Sequence, residues 1–326
     1  LLRQEDAVSV AAVSANAFTR VAFGPFDPHS PQAFAIASLF TNSLALCGAI
    51  FLLVSALVTA CVVRFRAKPG QEPRQVDGNK LLETAWTVVP IVVLIGLCAY
   101  TARAMNVSDA SIDRPPDVTV VAHQWWWEVT YPSGAVTANE VHIPTGKPLV
   151  LRLESADVVH DFWVPQLGRK MDATPGRPTA IWIEADQPGV YDGACAEFCG
   201  AEHAWMRIRV VAHPPEDFAR WQEHELAPAT VPKEAAAERG AGSFRTMTCG
   251  KCHAIGPGGE GPRFAPDLTH LAERSTLGAG VLPNTPADLT RWLREPQAIK
   301  PGCHMPDTGL TEAQVGDLVA YFETLQ

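Results

Sequence analysis

Neither of the two long apolar runs in this 326-residue chain contains a histidine, so neither offers an imidazole to a metal or haem inside a bilayer. The first 33 residues lack a basic segment followed by an apolar run; no signal peptide is read there, and Leu1 is taken as a mature N-terminus. Charge is scarce at 19% of residues, and the 26 basic residues are outnumbered by 35 acidic ones. The basic surplus of a nucleic-acid surface is missing, and no such partner is expected. A disulfide framework is missing too. Of eight cysteines, Cys47, Cys61 and Cys98 lie in apolar runs, where a thiol behaves as a small hydrophobe. Four more form the close pairs Cys195/Cys199 and Cys249/Cys252, leaving Cys303, read as a structural thiol.

What is present divides the chain into parts, as its length suggests. An almost uncharged run covers residues 34–63 and a second covers about 85–103, each long enough for the roughly 20 residues that cross a bilayer. Between them Arg64, Arg66, Lys68, Arg74 and Lys80 face only Glu72 and Asp77. A short basic loop of this kind stays in the cytoplasm. Residues 34–104 then form a hairpin, with the segment 1–33 and everything after Arg103 outside. Glu83 sits at the cytoplasmic mouth of the second helix, where an acid also suits the positive end of the helix dipole.

Residues 115–212 change to short β-rich runs broken by Pro and Gly: 118–123, 125–131, 149–154, 158–164, 179–184, 190–193 and 206–211. Seven such strands suggest a small antiparallel sandwich or barrel. Cys195, Cys199, His203 and Met206 share one loop of this region, a soft and borderline ligand set suited to copper. A Cys195–Cys199 disulfide is the alternative, and it leaves the spacing of His203 and Met206 unexplained. His160, in Val-Val-His-Asp-Phe-Trp-Val-Pro, is the best further imidazole. His142 and His213 have no partner at ligand spacing and read as surface or packing residues. The run Trp125-Trp126-Trp127 must expose at least one indole, and an exposed indole marks a docking surface.

A Pro-bounded charged segment, 213–233, reads as a short helix and a linker. Beyond it, residues 234–326 carry Cys249-Gly-Lys-Cys252-His253, the attachment signature of c-type haem, with the histidine placed to ligate the iron. A thioredoxin-like site is the alternative, but no βαβ pattern surrounds it. Met305 in Lys-Pro-Gly-Cys-His-Met-Pro is the expected sixth ligand, with His304 its rival. The Pro266 carbonyl is expected to fix the His253 tautomer. Gly240 and Phe244 share one helix face, which a final helix over 318–325 could cross.

The C-x3-C-x3-H-x2-M loop with its upstream V-x-H-x-F-W-V-P resembles the dinuclear copper (CuA) site of subunit II of haem-copper cytochrome c oxidases. With the haem motif downstream, residues 34–326 resemble the caa3-type subunit that carries a fused cytochrome c. The implied architecture is multidomain: a two-helix transmembrane hairpin, an all-β cupredoxin-like domain and an all-α class I cytochrome c domain. In that family Cys195 and Cys199 would bridge two coppers and His160 and His203 would cap one each. Met206 and the Glu197 carbonyl would be weak ligands, and the Glu197 side chain would help hold magnesium. Trp125 would pass electrons to copper, and Glu83 would lie near a proton channel.

The resemblance implies electron flow from haem c to CuA and on to subunit I, with its haems and CuB, in a proton-pumping oxidase of a bacterial plasma membrane. Subunit III is a further partner, and both cofactor domains face outside. Acidic residues outnumber basic ones by 12 to 7 over 115–212 and by 11 to 8 over 234–326. Such faces steer a basic donor, for which a cytochrome c is suited. Two other readings stay open: the CuA subunit of a nitric oxide reductase or other terminal reductase, and a copper-handling protein that merely passes metal on.

Overall fold

A computed structural model describes residues 24–66, 69–70, 75, 77–109, 114–256 and 264–326. Lys68, Glu72 and Arg74 of the basic loop lie outside the described residues, as do most of 1–33.

The two apolar runs form helices α1 (Pro31–Arg64) and α2 (Lys80–Ser108), longer at both ends than expected. At 1.5 Å per residue they span about 50 and 43 Å, enough to cross a hydrocarbon core of about 30 Å. Their large side chains face outward, Phe51 and Leu52 among them. That pattern suits lipid and is wrong for a helix buried in protein. Asn42 donates to the Tyr100 hydroxyl at 3.0 Å, so a polar contact joins the pair. The Asn79 side chain caps α2 by accepting from the Leu81 and Leu82 amides. Pro90 lies inside α2 without ending it.

The β-rich region is a sandwich of two five-stranded sheets. Its strands are β1 (Val118–His123), β2 (Trp126–Thr130), β3 (Val136–Ala138), β4 (Glu140–Pro144), β5 (Leu149–Ser155), β6 (His160–Trp163), β7 (Met171–Ala173), β8 (Thr179–Ile183), β9 (Gly189–Cys195) and β10 (Arg207–His213). One sheet runs β3-β2-β1-β5-β8 and the other β4-β10-β9-β6-β7. The β1/β5 and β4/β10 pairs are parallel, so the sandwich is mixed where a purely antiparallel one was expected. Trp127, Leu151, Phe162, Ile183 and Ile208 fill the space between the sheets. Strands β3, β4 and β7 escaped the sequence reading: two are three residues long, and β4 is buried at four of five positions and shows no alternation.

Residues 24–30 lie along this domain, with His29 pairing its backbone to Gln166 and Asp186. Helix α3 (Pro215–Glu225) also belongs here, because Phe218 and Trp221 pack on the β core. Trp221 stacks on His142, which in turn accepts or donates a 2.8 Å bond with His213. The packing reading of those two histidines therefore holds. The stretch that joins the two folded parts, without a helix of its own, is 226–234.

The last part is helical: α4 (Ala235–Thr246), α5 (Pro286–Arg294), α6 (Pro296–Ile299) and α7 (Glu312–Phe322), with a two-residue ribbon β11 (Thr276–Leu277) and β12 (Leu282–Pro283). A capping box between Thr311 and Gln314 starts α7 well before the expected residue 318. Gly240 lets α4 and α7 touch: a Cβ there would sit 2.0 Å from the Asp317 carbonyl oxygen. Phe244 then packs edge-on against Phe322.

Candidate metal and haem centres

Strand β6 begins at His160 and strand β9 ends at Cys195, so adjacent strands deliver an imidazole and a thiol to one end of the sandwich. The chain then curls through Gly200, at φ +117°, before a 3-10 turn over His203–Trp205 and Met206. Both cysteines are free thiols, with sulfurs 3.7 Å apart, which sets the disulfide alternative aside. His160 Nδ1 lies 3.8 Å from Cys195 Sγ, His203 Nδ1 3.6 Å from Cys199 Sγ, and Met206 Sδ 3.8 Å from Cys199 Sγ. The Glu197 carbonyl is 3.2 Å from Cys195 Sγ, while its side chain is exposed. Two sulfurs, two imidazole nitrogens, a thioether and a carbonyl thus converge, a donor set that fits copper.

Burial and hydrogen bonding prepare these groups. The bond shared with Cys199 holds the Cys195 thiol far below the ordinary thiol range, and the same bond pushes Cys199 up. The other nitrogen of His160 bonds to Asp157 at 2.8 Å, the carboxylate–imidazole arrangement that orients a metal-binding ring. Sequence reading missed Asp157, although an acid three residues before a candidate ligand histidine was the available signal.

Trp125 lies directly against this loop. Its indole N–H donates to the Cys199 carbonyl at 3.0 Å, and Gln124 Nε2 donates to the same oxygen at 2.7 Å. The tryptophan run is not exposed as expected: Trp127 is fully buried, Trp126 is 9% exposed, and Trp125 is half-buried. The helical domain supplies the cover. Ala279 packs on Trp126, and the His304 ring lies 5.2 Å from the Trp125 ring.

In the helical domain Cys249 and Cys252 bracket a 3-10 turn, and His253 follows. His253 Nδ1 donates to the Pro266 carbonyl at 2.7 Å, as expected, which leaves Nε2 as the free ligand atom. Burial holds this histidine below its ordinary range, so the ring is neutral and able to ligate. Met305 is half-buried against the domain core, whereas its rival His304 is exposed and turned to Trp125. Gln297 shapes the Met305 loop by donating to the Cys303 and Met305 carbonyls, both at 2.7 Å. These donors fit a covalent c-type haem.

Lys300 fastens the two domains. It is 3% exposed, and its ammonium donates to the carbonyls of Trp125, Trp205 and Gly278 at 3.0, 3.2 and 3.0 Å. Ser275 donates to Glu140, Arg209 donates to Ser275, and the Arg207 amide donates to the Ala279 carbonyl at 3.1 Å. Glu83, by contrast, is exposed in the first turn of α2, remote in sequence from either centre.

Three family descriptions match the chain: "Cytochrome C oxidase subunit II, transmembrane domain" over residues 19–103, the periplasmic domain of the same subunit over 133–213, and "Cytochrome c" over 237–326. A cytochrome c oxidase subunit 2 of Alkalihalophilus pseudofirmus is 36% identical over 313 residues, 92% of this chain and 90% of that one. The subunit 2 of Bacillus sp. PS3 is 35% identical over 288 residues, 80% of each. Among solved structures, the periplasmic domain of oxidase subunit II from Bradyrhizobium japonicum is 30% identical, covering 34% of this chain and 95% of its own, with a TM-score of 0.32. With a hairpin of two apolar helices, a cupredoxin-like sandwich and a helical cytochrome domain in that order, the chain belongs to the cytochrome c oxidase subunit II family, in the form that carries a C-terminal cytochrome c domain.

Proposed function

We propose that this chain takes electrons in at a covalent haem c, passes them to a dinuclear CuA centre, and delivers them to subunit I of a caa3-type oxidase. The observation that carries the reading is the position of Trp125, hydrogen-bonded to the Cys199 carbonyl on one side and in ring contact with His304 on the other. Cys249, Cys252, His253 and Met305 would hold the haem; His160, Cys195, Glu197 (through its carbonyl), Cys199, His203 and Met206 would hold copper. Bound there, the two cofactors supply one-electron carriers that change geometry little between redox states.

The chain's own residues do the positioning. Pro266 and Asp157 fix two imidazole rings, and Gln297 fixes the Met305 loop. Burial of Cys195, Cys199 and Met206 keeps water from the sulfurs. Trp125 bridges from the loop beside Met305 to the loop of Cys199. The Glu197 carboxylate, exposed at the rim, suits a magnesium ion shared with subunit I, and Glu83 suits the mouth of a proton channel in that subunit.

The hairpin anchors the chain in a bacterial plasma membrane, with both cofactor domains outside and subunits I and III beside it. Oxygen reduction belongs to subunit I, since neither α1 nor α2 carries a histidine. The acidic surplus of the haem domain favours a basic cytochrome c as donor. Input rates that ignore ionic strength would count against that donor.

An optical and electron-spin spectrum of the purified chain tests the cofactors: c-type haem bands with a mixed-valence dinuclear copper signal are expected, and a single type 2 copper would defeat the reading. Oxygen against nitric oxide consumption by the chain with its membrane partners decides the acceptor.

A further inference from the structure

His224, His270 and Glu273 form a cluster that neither cofactor site uses. His224 lies in the last turn of α3; in the haem domain His270 precedes, and Glu273 ends, a 3-10 turn over Leu271–Glu273. One ligand atom from each residue lies within 4.8 Å of the other two. His224 Nε2 is 2.9 Å from a Glu273 carboxylate oxygen, and the two imidazole rings are 5.2 Å apart.

His270 makes the cluster unusual. It is only 3% exposed, yet among the described residues neither ring nitrogen has a partner within hydrogen-bonding distance. A backbone interaction with Ala227 is among the smaller influences on the ring, behind burial, His224 and Glu273. Buried polar groups are nearly always satisfied, so an orphaned imidazole aimed at a histidine and a carboxylate needs a reason. Burial, then the neighbouring His224, hold His270 below its ordinary range, which leaves a neutral ring with a lone pair to give. A surface ion pair between His224 and Glu273 would account for those two residues and leave His270 unexplained.

We propose that His224, His270 and Glu273 bind a divalent zinc-class ion, with water completing the site, and that the ion staples α3 to the haem domain across the 226–234 linker. Two imidazoles and one carboxylate are too nitrogen-rich for calcium or magnesium and too hard for copper(I). A tetrahedral ion with bonds of about 2.0–2.1 Å needs its ligand atoms roughly 3.3 Å apart. His224 and Glu273, with side chains 44% and 38% exposed, are free to swing onto the fixed His270. The site stands apart from the copper loop in both residues and donor chemistry, so it does not depend on the electron-transfer reading.

The test uses the full chain, loaded with copper and haem, in detergent. After treatment with a mild chelator it is titrated with Zn²⁺, and separately with Co²⁺ to read coordination from the visible bands. One ion per chain beyond the copper content is expected, with tetrahedral cobalt bands and a melting temperature that rises with zinc. His224→Ala, a change at an exposed position, should raise the dissociation constant at least about tenfold, and Glu273→Gln should do the same. The zinc-free melting temperatures of both variants, compared with the parent, show that they are folded. No zinc retained by the parent at micromolar concentration, or equal affinity in the parent and both variants, would overturn the site.

Discussion

The Lys300 ammonium donates to the Trp125 carbonyl at 3.0 Å, joining residues 175 positions apart in the chain. A lysine this deeply buried costs free energy unless its donors are used, and here all three hydrogens meet carbonyls. Burial pushes its pKa down to about 8.

Lys300→Met keeps the length of the side chain and removes every donor. Leaving buried carbonyls unmet costs about 1–3 kcal/mol. The haem domain should come loose from the copper domain while remaining folded. Flash-induced electron transfer from haem to copper should slow by about tenfold or more, with haem reduction by a small external reductant unchanged. Equal internal rates would remove Lys300 from the positioning role.

Trp125→Phe deletes the bond to the Cys199 carbonyl and keeps an aromatic ring beside His304. Internal transfer should fall, and Trp125→Leu should fall further, because it loses the ring as well. Copper content should stay near that of the parent in both. A rate indifferent to either change would sink the proposed route.

Asp157→Asn weakens the carboxylate bond that holds His160. Loss of such a partner costs about 10–100-fold in metal affinity. Copper retention against a chelator checks this, with the haem content of the same sample as an internal control.

The stack of His142, His213 and Trp221 sets an acid limit on the copper domain. Burial, then the adjacent His142, push His213 down to about 4 from an ordinary 6.5. The folded state therefore binds fewer protons than the unfolded one between these values. Stability from this group is complete above pH 6.5 and drains away as pH falls toward 4. The melting temperature of the copper domain should drop through that window, and His213→Gln should flatten the drop by a few degrees, at about 2–4 °C per kcal/mol.

Gly240→Ala drives a methyl group into the backbone of α7, and Asp317 has no side-chain freedom to yield there. The haem domain should lose about 3 kcal/mol, seen as a lower melting temperature with the copper domain unaffected.

Local motifs made much of this molecule readable in advance. Cys249 to His253, and Cys195 to Met206, carry their donor groups within a dozen residues, and loop curvature brings the Cys195–Met206 donors together, while His160 arrives on the neighbouring strand β6. Gly240 and Phe244 announced a close helix crossing because a missing side chain and a ring on one face have few other uses. Pro266 followed from the need of a ligating histidine for an acceptor. Lys300 gave no such sign, because a lysine beside Pro-Gly reads as solvent-exposed until its partners arrive from another domain. The tryptophan run misled for the same reason: its cover comes from Ala279 and His304, well over a hundred residues later. Strands β3, β4 and β7 were too short, or too evenly buried, to show a period.

The cover over Trp125 changes what an outside donor can do. A free cytochrome would have to lay its own haem edge on that indole, yet the His304 ring already packs against it and Lys300 ties its backbone to the fused domain. On the proposed route the fused domain would turn a collision between two proteins into an event within one, at an effective concentration of about millimolar set by the short 226–234 linker. Salt and dilution should then govern how fast electrons arrive at the haem domain and leave the onward step untouched.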